Sequence, residues 1–222
     1  MFGVARLNTL AKGASTPTSL TFVNFQTSTT TSLNPPTLQT GDLLVCFCVA
    51  RNTTTTIPTI MAPAGWTSVG SSPTVGTTQG TRAAMFYKIS AGNETTITTM
   101  SGTQSTASWS ASWRPNAPIT TVTVGGGSNF QLSDAQVTNL TLTMSGVAVP
   151  YVGFGNYFTN GSPTTVYGAT TTTTVTATRS FGPSGNLWTN IYEANGSTNS
   201  TLGSTSDWGS GNGIWGLTLS VS

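Results

Sequence analysis

Histidine is absent from this 222-residue chain, and charge is scarce, with seven basic and five acidic residues. Without imidazole, the Ser-His-Asp and Cys-His nucleophile arrangements lose their base, and most zinc hydrolase sites lose their ligands. The two cysteines, Cys46 and Cys48, cannot fill a tetrahedral soft-metal site by themselves. No run of Lys and Arg marks a phosphate-backbone partner, so nucleic acid is not an expected ligand. No glycine-rich loop precedes the lysine that a phosphate cradle needs, and no cofactor is expected. No stretch approaches the roughly 20 apolar residues that cross a bilayer as a helix, so membrane insertion is not expected either. Residues 1–12 lack the uninterrupted apolar core and cleavage site of a secretory signal, so a signal peptide is not expected.

What the chain does contain is hydroxyl, glycine and aromatic surface. Its apolar content of 36%, with six Trp, five Tyr and nine Phe, supplies the burial that a disordered chain lacks. Thr, Ser, Asn and Gly must wet the surface in place of ion pairs. Such a surface tolerates changing salt, because little of its stability is screened Coulomb energy. Six Asn-X-Ser/Thr sequons, beginning at Asn52, Asn93, Asn139, Asn160, Asn195 and Asn199, follow from that composition by chance.

Helical periodicity is nearly absent, whereas β-branched and aromatic runs recur between Gly, Pro, Asn and Ser. Strands are expected at residues 19–25, 43–51, 66–70, 82–90, 94–100, 106–114 and 118–124. The second half supplies 137–145, 147–158, 164–178, 186–194 and 214–221. The fold class is all-β, an antiparallel two-sheet sandwich of jelly-roll type. It forms one domain over residues 16–222, with a short N-terminal arm at 1–15. Alternation puts Cys46 and Cys48 on one strand face as reduced core residues, and puts Trp109 and Trp113 together as core anchors. The Thr-rich run 170–178 is expected as an interior or intersubunit strand.

Chemistry-bearing residues are few. A glycosidase would need two of Asp42, Glu94, Asp134, Glu193 and Asp207 about 5 to 10 Å apart across a cleft, but Asp42 after Gly41 and Glu94 after Gly92-Asn93 read as turn residues. No catalytic or metal site is therefore expected, and the chain is not read as an enzyme. Trp208 with Asp207, and Tyr157 with Asn156, suit a sugar contact, in which an aromatic face stacks on the ring and polar groups meet its hydroxyls. The arm carries Phe2, Val4, Leu7 and Leu10 with Arg6, and burying each apolar side chain against a partner gains about 1.5 to 3 kcal/mol. It is expected to anchor the chain to a neighbour.

Residues 41–119 resemble a module of phage and metagenomic structural proteins. The resemblance rests on Gly41-Asp42-Leu43-Leu44, Pro63-Ala64-Gly65-Trp66, the run 82–89, Gly92-Asn93-Glu94-Thr95 and the Trp109 to Trp113 strand, in that order. It departs from the usual Tyr-x-Gly strand end, having Trp113-Arg114-Pro115 there. The resemblance implies a bacteriophage virion structural protein, either a capsid decoration protein or a head or tail fibre subunit exposed on the particle surface. It also implies a homo-oligomer, with a trimer favoured, that contacts other virion proteins. The alternative is a carbohydrate-binding module or adhesin that takes a surface glycan.

Overall fold

The computed structural model describes residues 16–52, 54–75, 80–98, 100–101, 105–125, 141–144, 151–158, 168–170, 177–184, 187–194, 200–203 and 215–222. The described residues are all β, with no helix among them. In the first half the strands are β1 (Leu20–Ser28), β2 (Ser32–Leu33), β3 (Leu43–Arg51), β4 (Thr59–Ile60), β5 (Thr67–Val75), β6 (Gly80–Ile89), β7 (Ile97–Thr98), β8 (Met100–Ser101) and β9 (Ser105–Pro115). Then come β10 (Val122–Gly125), β11 (Thr141–Met144), β12 (Tyr151–Phe158), β13 (Gly168–Thr170), β14 (Ala177–Ser184), β15 (Leu187–Ala194), β16 (Ser200–Gly203) and β17 (Trp215–Val221).

Two five-stranded antiparallel sheets dominate, the first ordered β1-β9-β3-β6-β5 and the second β10-β17-β12-β15-β14. A three-stranded sheet, β11-β16-β13, and two short ladders, β2-β7 and β4-β8, complete the described pairing. Two of the edge strands, β5 and β14, contain proline, Pro73 and Pro183, which an edge position tolerates.

The central strand β3 explains its own sequence. A strand with one wet face alternates apolar and polar residues, but 43–50 is apolar throughout, as a strand buried on both faces requires. Leu43, Val45 and Phe47 join Trp109, Ala111 and Trp113 of β9 and Met85 of β6 in one cluster, which also takes Val152, Leu219 and Val221 from the second sheet. Leu44, Cys46, Cys48 and Ala50 turn the other way. The last three pack with Ala84, Phe86, Leu33, Ile60 and Ile97, and Trp66 lies against them.

On this second face three successive even positions of β9, 108, 110 and 112, are serines. Ser110 Oγ donates to Asn34 O and Ser112 Oγ to Thr37 O, both at 2.9 Å, while Ser108 Oγ reaches Ser28 O at 3.4 Å. The segment that crosses from β1 to β3 is thereby strapped across the sheet. Pro35 and Pro36 hold it extended, and the carbonyls flanking that pair are the ones Ser110 and Ser112 satisfy.

The expected cysteine placement is borne out: both are free and buried, with Sγ atoms 3.5 Å apart. Burial raises the Cys46 thiol well above its ordinary pKa, and the hydrogen bond and charge of Cys48 add to this. Trp109 stacks on Phe47 and Trp113 meets Phe22 edge-on, each at 5.8 Å. Of the Thr-rich run, Thr170 ends β13 at the edge of its small sheet and Ala177 and Thr178 open β14, an edge strand of the second, while 171–176 lie outside the described residues. The expected strand over 94–100 is replaced by the two-residue pieces β7 and β8.

Candidate functional site

Four of the charged side chains converge at one end of the first sheet. Gly41 and Gly92 adopt positive φ of 90° and 84°, which turns the chain sharply before β3 and after β6. The turns are stitched by Gly41 N–H to Ser90 O and Ser90 N–H to Asp42 O, each at 2.8 Å. Asp42 then accepts Gln39 N–H through Oδ2 and both Nε and Nη2 of Arg114, the latter two at 3.0 Å. Glu94 accepts the Ser90 hydroxyl and Ala91 N–H, each at 2.7 Å, and pairs with Lys88 at 3.2 Å.

Burial of the Glu94 carboxyl pushes its pKa up. The hydrogen bonds from Ala91, Ser90 and Lys88 together outweigh that effect and bring the pKa down to about 2. The bond to Asp42, opposed by partial desolvation, raises Arg114 further above its ordinary value. A carboxyl titrating near 2 cannot hold a proton for general acid work at neutral pH. Asp42 is almost wholly buried and spends its oxygens on Arg114 and a backbone amide. This corner is thus a clasp between two turns.

Of the remaining acids, Glu193 lies in β15 opposite Val152 and Ala177, while Asp134 and Asp207 lie outside the described residues. Among the described residues no group of three His, Cys, Asp or Glu could hold a metal ion.

Of the expected sugar contacts, Trp208 and Asp207 lie outside the described residues. Asn156 and Tyr157 are consecutive in β12, so register separates them onto opposite faces. Asn156 pairs with Thr189 and Trp215, whereas Tyr157 pairs with Trp188. Nothing in the sequence told that β15 pairs with β12. The anchoring residues Phe2, Val4, Arg6, Leu7 and Leu10 lie outside the described residues.

Where the described chain begins, Asn116 clamps it. Its Oδ1 accepts Thr18 N–H and Ser19 N–H at 2.9 and 3.1 Å, and its Nδ2 donates to Thr18 Oγ1 at 2.9 Å. No protein-family model, curated protein or solved structure matches this chain.

Proposed function

We propose that this chain is a structural protein of a bacteriophage particle, a capsid decoration protein or a head or tail fibre subunit on the particle surface, and not an enzyme. The observation that supports this best is how the first sheet is held. Apolar packing secures one face and hydroxyl-to-carbonyl bonds help secure the other, while the ion pairs described are confined to the clasp at one end. Such a unit keeps its shape across wide changes of salt, as a particle surface requires. The ordered resemblance of residues 41–119 to phage structural modules supports the same reading.

In this reading the two five-stranded sheets are the layers of an antiparallel, jelly-roll-like sandwich. The cluster that joins Val152, Leu219 and Val221 to Trp109 and Trp113 supports that arrangement. The subunits assemble as homo-oligomers, with a trimer favoured, in the host cytoplasm, and residues 1–15 attach them to other virion proteins. The test is a quantitative protein inventory of gradient-purified particles, which should contain the chain in many copies. Its absence overturns the reading. Deleting residues 2–12 should leave the far-UV circular dichroism unchanged while the chain disappears from particles, and unchanged attachment would move the contact to the sandwich.

A further inference from the structure

The two edges of the first sheet are finished differently. Strand β5 carries Pro73 and a register shift between Ser68 and Gly70. Strand β1 has neither proline nor a charged residue over Leu20–Ser28, although it ends the described order of the sheet. Charge and proline are common means of keeping an edge from recruiting another strand. In a chain this poor in charge, β1 does without both.

Which backbone groups of β1 face outward follows from its pairing. Asn116 N–H donates to Ser19 O at 3.2 Å, so the even residues of β9 turn their backbone groups toward β1. The position of Ser28 O, reached by the Ser108 hydroxyl at 3.4 Å, agrees. The partners of those even residues, Thr21, Asn24, Gln26 and Ser28, face β9, which turns the backbone of Phe22, Phe25 and Thr27 to the outer edge. The register shift between Phe22 and Asn24 puts three residues between outward positions 22 and 25, where a regular incoming strand needs two. Past the shift, the first outward N–H is that of Phe25, and Asn24 Oδ1 accepts it at 2.8 Å.

We propose that the Asn24 carboxamide guards this edge: by holding the outward N–H of Phe25, it keeps β1 from pairing with β1 of a second copy of the chain. The second copy is the strand to exclude, because antiparallel contact of one segment with itself about a two-fold repeats every bond it makes. Such a pair would also cover Phe25, whose side chain is 38% exposed. A side-chain amide occupies the donor without charge, so the guard does not weaken as salt rises. The bulge breaks the spacing on one side of Asn24, and the amide withdraws the first donor on the other. The inference does not rest on the particle reading, because it concerns one edge of the isolated chain.

The experiment compares the full chain with Asn24→Val, Asn24→Asp and Gln26→Val by sedimentation velocity over a range of concentrations, with circular dichroism to follow the fold. Asn24→Val removes the acceptor and should form species heavier than the parent's, increasingly so as concentration rises. In its dilute form the Phe25 N–H should exchange severalfold faster than in the parent. Asn24→Asp keeps an acceptor and adds a charge, so it should sediment as the parent does. Gln26→Val places the same apolar group on the same face of β1, at an exposed residue whose backbone faces β9, and should also match the parent. Asn24→Ala makes the same removal without an apolar branch and decides the matter if the valine variant does not fold. A folded Asn24→Val or Asn24→Ala chain that keeps the parent's mass at every concentration overturns the proposal. Equal association of Gln26→Val also overturns it, by tracing the effect to apolar surface alone.

Discussion

On one face of β3, Leu43, Val45 and Phe47 meet Trp109, Trp113 and Met85, whereas one residue along Cys46 and Cys48 lie opposite Ser110 and Ser108. The first face packs side chains shared with another sheet, whose strands satisfy their own backbone groups, so large rings can fill the space. The second face is crossed by a segment outside the sheet's own ladder. Its buried carbonyls cost free energy unless a donor reaches them, and serine brings a hydroxyl without much bulk. The same strand, β9, therefore alternates Trp or Ala with Ser because its two faces solve different problems.

The comparison breaks if the faces respond alike to truncation. Trp113→Ala should have the largest effect, about 3–5 kcal/mol of stability by urea denaturation, because Trp113 is fully buried in the shared cluster. A loss no greater than that of a serine variant would contradict the division.

Acid should loosen the clasp at the end of the sheet while sparing both faces. A carboxyl held below its ordinary value contributes stability that is present above the unfolded pKa and lost as pH falls through the folded one. From the Glu94 values of 4.5 unfolded and about 2 folded, roughly 2 to 3 kcal/mol should be lost as pH falls from 4.5 to 2. Glu94→Gln should flatten that part of the pH profile.

Ser110→Ala and Ser112→Ala should each cost about 1–2 kcal/mol, since each leaves a carbonyl of the strap without its donor. Amide exchange should quicken at Leu33, Asn34, Thr37 and Leu38 and stay unchanged in the shared cluster. The smallest effect is expected of Cys48→Ala, about 1 kcal/mol for a lost small apolar group. Neither thiol should react with Ellman's reagent until the chain unfolds.

Much of the first half was legible because its signals are local. The unbroken apolar run of 43–50 fills all of β3 but its last residue, Arg51, and the alternation of Met85, Tyr87 and Ile89 with Phe86 separates the two clusters as spacing demands. Strands β2 and β4 were not legible, being two residues long and present only through their partners β7 and β8. Strand β14 was missed because Ala177–Ser184 carries Arg, Gly and Pro, which an edge position tolerates and propensity does not reveal. The clasp was legible as turns at Gly41 and Gly92, but its pairing of Asp42 with Arg114 spans 72 residues and follows from register alone. Tyr157 stood out as an aromatic beside Asn156, whereas its pairing with Trp188 depended on which strand lies beside β12.

Native-state hydrogen exchange of the intact chain tests the double covering of the first sheet most directly. If β3 is sealed on both faces and paired on both edges, the amides of Leu44 through Ala50 should exchange only by global unfolding and be the slowest in the sheet. The edge strand β5, paired on one side with β6, should exchange measurably faster. Exchange in β3 as fast as in β5 would contradict the account.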